Sequence, residues 1–70
     1  MAWLAINKFR NQEVMFSAKP RRCRDLFEVN YQNYECEIEL PNGTIKRLLG
    51  YSLTWEDGPV ELTSQIIDLW

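Results

Sequence analysis

A strict alternation of apolar and acidic residues runs from Tyr34 to Leu40, and this pattern constrains the fold more than any other feature. Tyr34, Cys36, Ile38 and Leu40 alternate with three glutamates. Successive side chains of a β-strand point to opposite faces, so the spacing predicts a strand with one buried and one solvated face. We therefore expect Cys36 and Ile38 in the core, and truncation of Ile38 to alanine to cost about 2 to 5 kcal/mol.

Other short β-prone runs indicate partners for this strand. Trp3–Ile6 and 13–17 are expected to form a hairpin whose turn lies at 9–12, and 26–31 is expected to follow as a further strand. Residues 53–55 and 59–62 indicate one more strand or two. Pro20 and four cations between residues 19 and 24 predict an exposed loop there.

One short helix is expected at residues 43–50. Ile45, Leu48 and Leu49 fall on one helical face, Asn42 or Thr44 is expected to cap its start, and Gly50 provides a left-handed stop. The predicted fold class is α+β, mostly β, with a small antiparallel sheet or partly closed barrel of four to five strands.

The length of 70 residues restricts the chain to a single domain. A chain this short hides only about 60% of the surface that its unfolded form exposes, so a second core has no room. We expect a core within residues 1–62 and a tail, 63–70, that is helical or lies at an interface. The apolar members of the periodic elements are the predicted core: Trp3, Ile6, Val14, Phe16, Phe27, Val29, Cys36, Ile38, Leu40, Ile45, Leu48, Leu49, Trp55, Val60 and Leu62.

The absence of histidine argues against an enzyme. Histidine is the commonest general base and metal ligand, and this chain has none. Cys23 and Cys36 lack the spacing of a zinc site, so we expect two reduced thiols, no metal, no cofactor and no catalytic residue. The chain also lacks a long apolar run and a secretory leader, which predicts an intracellular protein that does not enter a membrane.

The charges are divided along the chain. Six cations and one carboxylate precede Asp25, whereas two cations and nine carboxylates lie from Asp25 onward. The candidate binding residues are the four cations of this basic segment, 19–24, together with the terminal tryptophan: Lys19, Arg21, Arg22, Arg24 and Trp70. Arginine and tryptophan dominate binding energy at interfaces. Alternatively, the basic segment neutralises the glutamates at 35, 37 and 39 across the sheet.

Assembly is a further expectation from the tail. A small sheet leaves unpaired edges, and a symmetric pair of chains covers them. We expect a homodimer that uses Ile66, Ile67 and Trp70.

Several motifs resemble small uncharacterised proteins of bacteriophages, prophages and gut bacteria. They are Trp3-Leu4-Ala5, Lys19-Pro20-x-Arg22, the segment 40–50 with its Leu-Pro-x-Gly-Thr-Ile-Lys start, and the Leu-Thr-Trp-Glu-Asp-x-Pro-Val-Glu-Leu run at 53–62. The resemblance departs at 63–70. It implies a phage setting and, by analogy of context, a non-enzymatic binding module that inhibits a host protein, such as a defence factor, in the bacterial cytoplasm. The alternative is a protein that binds nucleic acid or a small anionic nucleotide through residues 19–24.

Overall fold

Six short strands and one helix form the regular structure of residues 2–62, which are the residues that this computed structural model describes. The strands are β1 (Ala2–Ile6), β2 (Glu13–Phe16), β3 (Arg21–Cys23), β4 (Leu26–Glu28), β5 (Glu37–Leu40) and β6 (Val60–Leu62), and the helix is α1 (Thr44–Leu49). Short 3-10 turns lie at Phe9–Asn11, Tyr31–Asn33 and Trp55–Asp57. None of the helices within 2–62 is long and apolar enough to cross a membrane.

Four strands form an antiparallel sheet in the order β5-β2-β1-β6, and β3 and β4 form a separate antiparallel hairpin. The α+β, mostly β, class is therefore confirmed, and so is the hairpin of β1 and β2. The sheet is not closed into a barrel. The strand count exceeds the predicted four to five because Arg21–Cys23, predicted as a loop, pairs with β4.

The central strand β1 is buried on both faces. Leu4, Ala5 and Ile6 follow one another and are all buried. Because neighbours in a strand point to opposite faces, both faces of the sheet must be covered. On one face, Ala5 packs with Val14, Phe16, Phe27 and Val29, and the hairpin β3–β4 supplies the cover. On the other face, Leu4 and Ile6 pack with Ile45 of α1 and with Leu53.

Helix α1 depends on a side chain from a distant strand. Six residues are too few to form a stable helix alone. The Glu13 carboxylate accepts hydrogen bonds from the backbone N–H of Gly43 at 2.6 Å and of Ile45 at 2.7 Å, which satisfies free donors at the helix start. The predicted helix and its end at Gly50 (φ 83°) are confirmed. The predicted cap by Asn42 or Thr44 is wrong, because Glu13 takes that role.

The strand predicted at Tyr34–Leu40 is present only over Glu37–Leu40, and the predicted burial of Cys36 and Ile38 is wrong. Ile38 is 62% exposed, Tyr34 is 91% exposed and Cys36 is exposed. β5 lies at the edge of the sheet, and α1 is too short to cover all of the face that Ile38 shares with Met15 and Leu4. Alternation along a strand reports which side chains share a face, but the covering element decides whether that face is buried.

The other residues of the predicted core are either buried or half-buried. Ile6, Val14, Phe16, Phe27, Val29 and Ile45 are buried, whereas Trp3, Leu40, Leu48, Leu49, Trp55, Val60 and Leu62 are half-buried. The strand predicted at 53–55 does not form: Leu53 is buried but lies outside a strand, and Trp55 begins a 3-10 turn. The predictions for the tail and for a homodimer through Ile66, Ile67 and Trp70 concern residues outside the described 2–62.

Burial on the helix side of the sheet is testable with two matched truncations. Ile45→Ala is expected to lower the free energy of unfolding by about 2 to 5 kcal/mol, because it leaves a cavity beneath α1. Ile38→Ala, on the uncovered part of the same face, is expected to change it by less than about 1 kcal/mol. Urea denaturation followed by circular dichroism measures both variants. Equal losses would contradict this assignment of burial.

Candidate functional site

The basic segment lies on a hairpin and not in a loop, although its four cations are exposed as predicted. Arg21 pairs with Glu28, Arg22 with Phe27 and Cys23 with Leu26. Pro20 is buried directly before the first paired residue, where its missing N–H interrupts no ladder bond. The segment is extended because it pairs with β4, whose Phe27, together with Val29 just beyond the strand, covers the sheet.

Strand alternation divides the arginines between the two faces of this hairpin. Arg22 lies opposite the buried Phe27, so its side chain is on the face turned toward the sheet. Its guanidinium carbon lies 4.6 Å from the ring centroid of Trp55 and 5.4 Å from that of Phe27. Its Nη2 donates to the carbonyl oxygens of Trp55 at 2.7 Å and Glu56 at 3.2 Å. Arg22 therefore fastens the hairpin to the Trp55–Asp57 turn.

Two more cations of the segment have partners within the chain. Arg21 Nε lies 3.4 Å from Glu28 Oε1, and Lys19 Nζ lies 5.6 Å from the Trp3 ring centroid. Within residues 2–62 no salt bridge joins the basic segment to the glutamates at 35, 37 and 39. The alternative, in which these cations neutralise those glutamates across the sheet, is therefore wrong for the described residues. Trp70 lies outside the described residues.

Arg24 occupies a different position, at the turn of the hairpin. The Phe9 backbone N–H donates to the Asp25 carbonyl at 3.2 Å, which ties the Phe9–Asn11 turn to the hairpin turn. Together they form what we call the tip surface: Phe9, Arg10, Arg24 and Leu26. Phe9 is 56% exposed and Leu26 is 44% exposed, and a shallow groove of about 320 Å³ runs between Phe9, Leu26, Arg24 and Asp25. The guanidinium carbon of Arg10 lies 5.0 Å from the Phe9 ring centroid.

Backbone strain is concentrated at this surface. Arg10 and Arg24 of the tip surface have φ angles of 62° and 59°, in the left-handed region that residues with a Cβ rarely adopt, and the neighbouring Asn11, of a type that tolerates this region, has a φ of 50°. Among the described non-glycine residues, Tyr34 alone shares this property elsewhere. Strained backbone persists where the surrounding structure holds it, and it clusters at binding and active sites. The tip surface therefore combines exposed apolar side chains, cations and strain.

Sequence reasoning identified Arg24 but missed Phe9, Arg10 and Leu26. Phe9 is the one apolar side chain inside the polar stretch 7–12, and an apolar residue in a turn was a usable signal. Leu26 was predicted only as the start of a strand, and its strand partner Cys23 is exposed on the outer face with it.

Glu28, Glu37 and Glu39 lie near one another and form an acidic area outside the tip surface. Partial burial, with the negative charges of Glu39 and Glu28, raises the pKa of Glu37 above its ordinary value. Glu37 and Glu39 lie on the exposed strand β5. Within residues 2–62 no group of three or more cysteine and carboxylate side chains is placed to hold a metal ion.

Known proteins provide no template for these surfaces. No family model matches the chain, and no match is found among curated proteins or solved structures. The contacts, exposure and charge of the described residues are therefore the basis for choosing among the candidate surfaces.

The structural role of Arg22 is separable from that of Arg21. Arg22→Met is expected to lower the free energy of unfolding by about 1 to 3 kcal/mol, because it removes two hydrogen bonds and the contact with two rings. Arg21→Met, which removes only an exposed ion pair, is expected to cost less than about 1 kcal/mol. Chemical denaturation measures both variants. A loss for Arg21→Met as large as that for Arg22→Met would refute the assigned difference.

The raised pKa of Glu37, caused first by burial and then by the charges of Glu39 and Glu28, predicts that stability depends on pH. A raised pKa means that the folded state binds the proton more tightly than the unfolded chain, so this group lowers stability as the pH rises through its pKa. Glu37→Gln is therefore expected to raise the melting temperature at about pH 7.5, and the gain is expected to vanish near about pH 3.5, where the wild-type side chain is protonated in both states. Glu56→Gln, in the Trp55–Asp57 turn, is the control. A gain that does not depend on pH would contradict this origin.

Proposed function

We propose that the protein is a non-enzymatic protein-binding module whose contact is the tip surface. The observation that carries the proposal is the exposure of Phe9 and Leu26 beside Arg10 and Arg24 on two turns that are tied together. Aromatic and arginine side chains contribute most of the energy at protein interfaces, in particular where a rigid scaffold presents them.

The chemistry of the surface specifies the partner's chemistry. Phe9 and Leu26 present an apolar centre, Arg24 and Asp25 line the groove with them, and Arg10 lies over the Phe9 ring. Two cations and one carboxylate therefore border the centre, which leaves a net positive margin. The complementary partner has an exposed apolar side chain that fills the groove and carboxylates around it. Arginine forms two parallel hydrogen bonds with a carboxylate, so these cations select an acidic rim.

The roles of the other candidate residues follow from their contacts. Arg22 and Lys19 lie over aromatic rings of their own chain, and Arg21 pairs with Glu28. In this proposal they stabilise and orient the hairpin, while Arg24 at its turn contacts the partner.

The setting we propose comes from the motifs that resemble phage and prophage proteins. In that setting the partner is a bacterial host protein in the cytoplasm, and the module inhibits it by covering a functional surface. Occlusion of this kind requires no catalytic residue and no cofactor.

Variants at the tip surface test the proposal. The double variant Phe9→Ser with Leu26→Ser, and Arg24→Gly alone, are each expected to weaken binding of the partner by at least about tenfold. Tyr51→Ser is the matched control, because Tyr51 is 52% exposed and lies outside the tip surface. Arg24→Gly has a second readout: glycine adopts a positive φ without strain, so its melting temperature is expected to stay level or rise while binding is lost.

The partner is first captured from nuclease-treated bacterial lysate and then purified, so that affinities are measured between two defined proteins. The proposal is supported if both tip variants lose affinity for the partner and Tyr51→Ser keeps the wild-type affinity. Unchanged affinity in the tip variants would refute the proposal, and capture that nuclease abolishes would favour nucleic-acid binding instead.

A further inference from the structure

Within residues 2–62 no strand pairs with the outer edge of β5 in the four-stranded sheet. Among the described residues β5 pairs with β2 alone, and Glu37, Ile38 and Glu39 are all exposed. An unpaired edge presents backbone N–H and C=O groups in the arrangement that another strand requires.

The register shows which backbone groups face outward. Pairs in an antiparallel ladder alternate between those that exchange both hydrogen bonds and those that exchange none. The Ser17 N–H donates to the Cys36 carbonyl at 3.0 Å, which makes Ser17 and Cys36 a hydrogen-bonded pair. Hydrogen-bonded pairs recur every two residues, so the next ones are Met15 with Ile38 and Glu13 with Leu40. The backbone N–H and C=O groups of Glu37 and Glu39 therefore point away from β2, toward the free edge.

The two faces beside this edge differ in chemistry. Glu37 and Glu39 are on the face that also carries Phe16 and Val14, and within residues 2–62 neither glutamate has an ion-pair partner. On the opposite face Ile38, 62% exposed, lies beside Met15. A shallow groove of about 270 Å³ opens there, and its lining includes Ala2, Met15, Cys36 and Ile38.

We propose that the free edge of β5 is a second binding site, which accepts an extended segment of a partner protein in which lysine or arginine alternates with aliphatic residues. Added as a fifth strand, such a segment pairs its backbone with Glu37 and Glu39. Its cations lie beside the two glutamates, and its aliphatic side chains continue the apolar surface of Ile38 and Met15. This site does not depend on the tip surface.

Charge distinguishes this occupant from the alternatives. A second copy of the chain paired through β5 places glutamates opposite glutamates, and like charges facing each other across strands are destabilising. The chain's own residues 63–70 contain Asp68 and no cation. Within residues 2–62 Glu37 and Glu39 have no ion-pair partner, and partial burial together with the negative charges of Glu39 and Glu28 raises the pKa of Glu37. A cationic strand supplies the missing positive charge.

Synthetic peptides provide the test on the full chain. The probe is a fluorescein-labelled peptide of alternating lysine and valine. One control peptide alternates glutamate with valine, and another has the probe's composition with its lysines grouped together. Fluorescence anisotropy gives the affinities, and amide hydrogen exchange by NMR reports the backbone. The alternating lysine peptide is expected to bind at least about tenfold more tightly than either control and to slow exchange at Glu37 and Glu39.

Matched charge reversals decide between strand addition and general attraction. Glu39→Lys is expected to weaken binding of the lysine peptide by at least about tenfold and to strengthen binding of the glutamate peptide. Glu56→Lys makes the same change in net charge and is expected to alter the affinity for the lysine peptide by less than about twofold. Glu39→Gln keeps the side-chain size and provides a milder variant if Glu39→Lys does not fold; it is expected to weaken binding by about threefold. Equal losses at positions 39 and 56, binding without protection of Glu37 and Glu39, or no binding at millimolar peptide would each overturn the proposal.

Discussion

The burial of β1 on both faces is the constraint on which the rest of the structure depends. Three consecutive buried residues, Leu4, Ala5 and Ile6, require two separate covers in a chain of 70 residues. The covers are a two-stranded hairpin on one face and a six-residue helix on the other. Neither is stable alone, since an isolated hairpin is marginal and so short a helix does not persist. Each therefore needs specific attachment to the sheet.

Polar side chains provide that attachment. The buried Asn7 Oδ1 accepts a hydrogen bond from the Phe27 N–H at 2.8 Å, and Arg22 fastens the same hairpin to the Trp55–Asp57 turn. Glu13 holds the start of α1. Apolar packing is not directional, whereas a hydrogen bond to one backbone group specifies a position. These three side chains thus define where each cover lies, and the apolar contacts supply most of the free energy.

The sequence predicted local features well and long-range features poorly. The period of two at Tyr34–Leu40 predicted β5, and the spacing of Ile45, Leu48 and Leu49 predicted α1. The attachment by Glu13 was not visible, because Gly43 is 30 residues away in sequence. The burial of Ile38 was predicted wrongly for the same reason: the length of a different element determines it. In the candidate site, Arg24 was identified from its charge, but Phe9 joins it only through the contact of two turns.

Pairing of β3 with β4 also explains why a run of cations does not form a single basic patch. Arg21 and Arg22 are adjacent in sequence, but alternation places them on opposite faces of the hairpin, where one pairs with Glu28 and the other contacts Trp55.

The charge division along the chain nevertheless persists in the fold. Cations from the first third remain at the tip surface, and carboxylates from the middle remain along β5. Both surfaces have an apolar centre, so in the two proposed interactions the sign of the surrounding charge, and not apolar contact, distinguishes one partner from the other. Together the two proposals therefore describe a small domain that uses opposite charges beside two apolar surfaces to hold two chemically different partners at once.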